Sequence, residues 1–318
     1  MKKAVFVIIA VLLLVPGFLA FSGGAQEDAD SGKYRVAVSL PPANNAWQAK
    51  LLDSVLAETA KDTDEFDFTV KNAVDDADQL NMLQTFKGDD YDMIIVLPGN
   101  GTLMTPICED IYDSGTTLMI LDRAIASDKY TVFLAGDNYA CGANAAEYLG
   151  ERLGGEGDIA ILRSYVGIPI DLQRYNGFMD TLTKKYPDIN VLVEGDGEFN
   201  QEAGLKAMSN ILPAYPKIDA VFTQDDEAAV GALTAIENAG RTDIQFVTGM
   251  GGGKTAYKLM AEGNPLYGAS MSYFPTMGGD AIVLAKEILR GASFEKDNIA
   301  PTIVVTSDNV DKYMDNAY

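Results

Sequence analysis

The sequence predicts an α/β protein built as two doubly wound parallel-sheet lobes. Short β-rich apolar runs alternate with helical stretches of about 10–15 residues from Tyr34 onward, the pattern of parallel sheets covered on both faces. The runs are too many for one comfortable sheet, and the rhythm restarts near Asp137. The 318 residues also suit two domains at about 100–200 residues each.

In the first half, Arg35 to Ser39 reads as a strand, followed by a helix from Asn45 to Ala60 with Trp47, Leu51, Val55 and Leu56 on one apolar face. Phe68 to Val70 is a strand and Asp78 to Phe86 a helix. Asp92 to Leu97 is a buried strand stopped by Pro98. Leu103 to Tyr112 is a helix ended by Gly115, and Thr117 to Leu121 a strand running into Asp122-Arg123.

The second half repeats this. Strands are expected at Val132 to Ala135, Asp158 to Leu162, Asn190 to Val193, Ala220 to Thr223, Gln245 to Thr248 and Gly268 to Ser272. Helices are expected at Gly142 to Leu153, Ile170 to Tyr186, Glu202 to Leu212, Glu227 to Ala239, Lys254 to Glu262 and Thr276 to Leu289. No repeat of 20–50 residues and no low-complexity segment interrupts them.

The N-terminus supplies a compartment. Met1-Lys2-Lys3 precedes twelve uninterrupted apolar residues, Ala4 to Val15, then Pro16-Gly17 and the small residues Ser22 to Ala25. That order is a secretory signal peptide, expected over residues 1–25. A membrane anchor is the competing reading, but a span needs ~20 apolar residues in a row. With no cysteine before Cys108 there is no lipid-attachment site, so the expected product is exported and free in the periplasm.

Composition narrows the chemistry. Lys plus Arg is 24 against 46 Asp plus Glu, a net charge of −22, which repels phosphate backbones and makes nucleic acid a poor partner. The absence of histidine removes Ser-His-Asp and Cys-His catalysis and the commonest zinc ligand. Cys108 and Cys141, the only cysteines, could pair in an exported chain or stay free as small hydrophobes; their spacing does not decide.

Several motifs fail on spacing. Gly249 to Thr255 has three residues between its first glycine and Gly253-Lys254 where a phosphate loop needs four, so it reads as a glycine turn. Asp196, Glu198 and Asn200 have calcium-loop spacing, but Gln201 stands where glycine is required. Asp225-Asp226-Glu227 reads as a helix cap followed by acids in the first turn. Asn100-Gly101-Thr102 is a glycosylation sequon by pattern only. No cofactor and no metal are expected.

The functional signal sits just past the carboxyl ends of the strands. Asn44-Asn45-Ala46-Trp47, Asp122-Arg123, Phe199, Asp225 and Tyr273 fall there, with Arg174 early in a helix. Carboxylate, amide and guanidinium groups serve hydroxyls, and aromatic rings serve apolar C–H faces, which is the mixture a sugar needs.

These residues, with Ile120 to Arg123, Gly136-Asp137-Asn138, Arg174 to Phe178, and Gln224 to Glu227 leading into Val230 to Leu233, resemble the periplasmic sugar-binding proteins of the ribose and galactose type (type I periplasmic binding proteins) that feed ABC importers. The likeness runs from Val36 to about Val305. It implies a three-stranded hinge near Asp137, Tyr273 and Val305, with residues 34–136 and 275–304 as the N-terminal lobe and 137–274 and 305–318 as the C-terminal lobe. It also implies that Asn45, Trp47, Asp122, Arg123, Arg174, Phe199, Asp225 and Tyr273 contact the ligand as the lobes close.

The resemblance therefore implies a monomeric receptor that delivers a neutral sugar or polyol to an ABC permease, without catalysis. A sensor protein serving a chemoreceptor or receptor kinase is the alternative within the fold, and a glycosidase-like enzyme using cleft carboxylates is the alternative of another class. Gly251 stands where the family usually has an aspartate, a phenol replaces an amide at Tyr273, and Gln48 replaces an aromatic. These departures imply a ligand other than ribose or galactose, with side-chain volume beside Gly251 open to it and Lys254 within reach.

Overall fold

The computed structural model describes residues 32–318. The expected signal peptide and its cleavage after Ala25 lie outside the described residues. In chain order the first lobe runs β1 (Tyr34–Leu40), α1 (Ala46–Thr59), β2 (Phe66–Asn72), α2 (Asp76–Gly88), β3 (Met93–Val96), α3 (Gly101–Asp113), β4 (Thr117–Leu121) and β5 (Val132–Gly136). The chain then crosses into α4 (Asn138–Leu153), β6 (Glu156–Arg163), α5 (Pro169–Lys185), β7 (Asp188–Asp196), α6 (Gln201–Ile211), β8 (Ala220–Thr223), α7 (Asp226–Asn238), β9 (Phe246–Gly251), α8 (Lys254–Ala261) and β10 (Tyr267–Ser272). It returns for α9 (Met277–Leu289) and β11 (Asp297–Ala300), and crosses a third time into β12 (Val304–Val305).

Two six-stranded sheets result, ordered β11-β5-β4-β3-β1-β2 and β12-β10-β9-β8-β6-β7. The first is parallel throughout; in the second, β12 pairs antiparallel with β10, Val304 facing Met271 and Val305 facing Ser270. Because β12 adds to the edge of the second sheet, Val304 sits there with Val305 and the third crossing occupies residues 301–303. β11 has no counterpart in the expected elements, since its exposed edge sequence DNIA carries no apolar run.

Strands β3 and β8 are buried along their whole length, as a sheet covered by helices on both faces requires. Leu51 and Val55 of α1 are buried as expected, but Leu56 is 47% exposed, so the buried stripe is narrower than its pattern suggests. Six helices begin on an Asn or Asp whose side chain caps them: Asn45, Asp75, Asn100, Asp137, Asn200 and Asp225. The sequon Asn100 and the calcium-spaced Asn200 are thus explained as caps. Cys108 in α3 and Cys141 in α4 are buried and free, which answers the pairing question, and burial pushes the Cys108 thiol up to about 12.

Helices α4 and α5 meet backbone to backbone. A Cβ on Gly142 would lie 1.9 Å from the Arg174 carbonyl oxygen, and one on Gly177 would lie 2.0 Å from that of Tyr139. Only glycine permits this approach. Its consequence is that Arg174 is held against the start of α4, beside the first crossing.

Candidate functional site

On the first lobe the loops after β1, β3 and β4 form the candidate site. Buried Gln79 ties the β3 loop down, donating to the Leu97 carbonyl (2.8 Å) and accepting from the Gly99 amide (2.7 Å). Arg123 Nη1 donates to the Gly99 carbonyl at 3.1 Å, and its Nε lies 3.7 Å from Asp122 Oδ2. Arg123 lines a cavity of about 360 Å³ with Pro41, Asn44, Gln48, Asp76 and Gly99. Asp122 itself is buried with φ of 62°, a left-handed conformation that aspartate tolerates better than most residues.

Tyr273 brings the lobes together. Its hydroxyl donates to Asp122 Oδ1 at 2.6 Å and accepts from Asn138 Nδ2 at 3.3 Å. Burial and the Asp122 carboxylate hold the phenol well above its ordinary pKa, so it stays a donor. Trp47 Nε1 donates to the Tyr273 carbonyl at 2.8 Å, and the two rings lie 6.0 Å apart.

On the second lobe, Arg163 makes a two-point ion pair with buried Asp171 (2.9 and 2.6 Å), and Asp171 also accepts from the Gly167 amide, fixing the β6 loop. Arg174 Nε donates to Asn138 Oδ1 (2.9 Å) and its Nη1 to the Gln224 carbonyl (2.6 Å). Its guanidinium lies 5.3 Å from the Tyr273 ring centre and 5.9 Å from that of Phe199. Phe199, with φ of 52°, also packs edge-on against Tyr165 at 5.7 Å. Asp122 and Phe199 thus account for two of the four non-glycine residues with positive φ among those described. Such strain recurs at binding sites.

Asp225 and Asp226 divide two tasks. Asp225 Oδ1 accepts from the amides of Glu227 and Ala228, while burial, with Asp226 adding to it, raises its carboxyl to about 7. Asp226 accepts from the amides of Gly252 and Gly253 and from the hydroxyls of Tyr267 and Ser270, all within 2.7–2.8 Å. Burial still pushes its pKa up against those four donors. The capping role read for this acidic run belongs to Asp225; Asp226 is the anchor of the loop after β9. The glycine turn is accordingly smaller than expected, because Gly249 to Gly251 belong to β9.

Of the eight expected site residues, Trp47, Asp122, Arg123, Arg174, Phe199 and Tyr273 are joined by hydrogen bonds, ion pairs or ring contacts, and Asp225 follows Gln224, to which Arg174 is bonded. Asn45 stands apart: it is exposed and spends Oδ1 on the Gln48 amide as the cap of α1. The volume expected beside Gly251 is already filled, since the Tyr318 hydroxyl lies 2.5 Å from where a Cβ at Gly251 would sit. Lys254 is exposed at the start of α8, and its backbone amide donates to the Tyr318 carbonyl.

Sequence reasoning passed over Asn138, Tyr165 and Tyr318. Asn138 figured only within a motif. Tyr165 follows β6 at its carboxyl end, so the strand-end rule that found the others applies to it equally. Nothing near Tyr318 in the sequence signals its position.

Two sheets whose strands point their carboxyl ends at a shared, hinge-bound set of polar and aromatic residues define a two-lobed solute-binding fold. The sequence profile of the "Periplasmic binding protein domain" family matches residues 36–293, and the chain belongs to that family. It is similar to the ribose import binding protein RbsB of Bacillus subtilis, 27% identical over 95% of this chain and 98% of that one. The xylitol-binding protein of Mycolicibacterium smegmatis is likewise 27% identical, over 73% of this chain and 66% of its own. Among solved structures, a solute-binding protein of Bacillus halodurans with bound myo-inositol superposes with a TM-score of 0.80 at 27% identity, covering 91% of this chain and 99% of that one.

Proposed function

We propose that the protein captures a neutral sugar or polyol between its two lobes, in the periplasm, and delivers it as a monomer to the permease of an ABC importer. The observation that carries this reading is the grouping of Arg174, Phe199 and Asp225 from one lobe with Trp47, Asp122 and Arg123 from the other around the crossing residue Tyr273. Arg174 Nη2 and Asp225 Oδ2 have no hydrogen-bond partner among the described residues, which suits them to ligand hydroxyls. Phe199 and Trp47 offer ring faces. The ribose, xylitol and myo-inositol proteins to which the chain is similar support a neutral polyhydroxy ligand. No helix among the described residues is long and apolar enough to cross a membrane.

Binding without catalysis is the reading we adopt. Asp226, the carboxylate next to Asp225, has its oxygens taken by four donors and is poorly placed to serve as a second acid or base. A sensor role has one observation in its favour: the fructose-binding periplasmic domain of a hybrid two-component system superposes with a TM-score of 0.77 at 29% identity.

A thermal-shift screen tests the proposal. Protein unfolded and refolded to remove carried ligand is heated with D-ribose, D-allose, xylitol, myo-inositol or D-fructose. A ligand at a hundred times its Kd adds about 2.7 kcal/mol, so a rise of several degrees with at least one is expected. No shift with any of them at millimolar concentration overturns it.

A further inference from the structure

We propose that Tyr318 supplies the ligand contact at the end of β9 and helps set which sugar or polyol the site accepts; this rests on the binding function proposed above. β9 ends in Gly249-Met250-Gly251, is followed by Gly252-Gly253, and so has no polar side chain of its own at its carboxyl end. The other parallel strands of that sheet are followed by Tyr165, Phe199, Asp225 and Tyr273. Gly251 also has φ of 121°, where a side chain would be strained, and the place its Cβ would take is met by the Tyr318 hydroxyl at 2.5 Å and Cζ at 3.4 Å. The strand end has no group because a residue 67 positions later stands in its place.

The segment carrying Tyr318 is fastened through its backbone. The Tyr318 amide donates to the Gly252 carbonyl (3.2 Å) and its carbonyl accepts from the Lys254 amide (2.8 Å). Tyr313 stacks on Phe274 at 6.0 Å, and Ala317 is buried. The side chain has no such fastening: its hydroxyl makes no hydrogen bond among the described residues. Burial and the carboxylates of Asp225, Asp226 and Glu227 hold that hydroxyl protonated, with Arg174 acting against them.

A protonated phenol donates one hydrogen bond and accepts one, and lays a ring against C–H groups. A carboxylate there would accept from two adjacent hydroxyls. The ligand selected by Tyr318 therefore presents an acceptor oxygen and an apolar face at this point, which favours one that lacks a hydroxyl there, such as a deoxy sugar, over one whose two vicinal hydroxyls both need an acceptor.

The test is calorimetric titration of wild type, Y318F and Y318A with the tightest binder among D-ribose, D-allose, xylitol and myo-inositol, and with monodeoxy analogues of that compound. Y318F should bind about 5- to 30-fold more weakly, and Y318A more weakly still. The analogue lacking the contacted oxygen should bind wild type and Y318F alike, an equality that a merely structural role would not produce. Affinity within twofold of wild type in both variants overturns the contact, and loss confined to Y318A overturns the hydroxyl's part in it. Wild-type protein that binds none of the probes instead contradicts the proposed function itself. The backbone hydrogen bonds persist in Y318F, so its fold is retained.

Discussion

The Tyr273 hydroxyl donates to Asp122 Oδ1 at 2.6 Å, joining the end of β4 in the first lobe to the residue that follows β10 in the second. The connection continues through Asn138 to Arg174 and from Arg174 to the Gln224 carbonyl. One chain of hydrogen bonds thus runs from lobe to lobe through the crossing, and three of the expected ligand contacts, Asp122, Tyr273 and Arg174, are links in it. The candidate site and the hinge share their side chains.

Replacing Tyr273 with Phe keeps the ring and removes both hydroxyl bonds. Asp122 and Asn138 are buried, at 8% and 6% exposure, so each loses a partner where water replaces it poorly. Urea unfolding should show a loss of about 1–3 kcal/mol. An unchanged midpoint and slope would mean that the chain of bonds contributes nothing to the fold.

Arg174 should prove structural as well as ligand-facing. R174A strands two buried acceptors, Asn138 Oδ1 and the Gln224 carbonyl, and should cost about 1–3 kcal/mol of stability alongside a tenfold or greater loss of sugar affinity. R174K keeps the charge but not the planar fork, so it should recover part of the stability and little of the affinity. Equal affinity for R174K and wild type would remove the guanidinium from ligand binding.

Asp226 should be the costlier aspartate to change. It is 1% exposed and binds four donors from the β9 loop and from β10. In D226N one oxygen becomes an NH2 group facing donors, so a loss of about 3–5 kcal/mol is expected by chemical unfolding. D225N should be far milder, since asparagine caps a helix about as well as aspartate. The reverse order would contradict the division of tasks between them.

Asp225 makes stability depend on pH. Its carboxyl sits at about 7 in the fold, above its ordinary value of ~3.9, so the native state favours the protonated form. That contribution is complete below pH ~4 and lost as pH rises through about 7. The unfolding free energy of wild type relative to D225N should therefore fall between those limits, and a flat or rising difference would contradict it. A bound ligand whose hydroxyls need the ionised form should release protons near neutrality, which calorimetry in buffers of different ionisation enthalpy reads directly.

The alternation of strands and helices was legible because it is written locally, in apolar runs such as Met93–Val96 and in caps such as Asn45 and Asp225. β11 was not, because an edge strand of Asp, Asn, Ile and Ala has no pattern of its own and forms by pairing with β5. Most of the candidate site was legible for a related reason: the fold delivers whatever follows each parallel strand to one cleft. Residues whose roles depend on distant partners were not legible. The role of Asp226 requires Gly252, Tyr267 and Ser270, and that of Tyr318 requires a strand end 67 residues away. The empty volume inferred from Gly251 failed for this cause, since a missing side chain in one segment was filled from another.

The central claim is that one cleft, held by Arg174 and Asp225 on one side and Asp122 on the other, binds a neutral sugar or polyol. Calorimetric titration of ligand-stripped protein with D-ribose, D-allose, xylitol, myo-inositol and D-fructose, repeated on R174K and D225N, tests it most directly. The account predicts one site per chain for at least one of these ligands at micromolar Kd or tighter, weakened at least tenfold in each variant, about 1.4 kcal/mol. Binding that both variants retain at full strength, or no binding by wild type up to millimolar ligand, would contradict it.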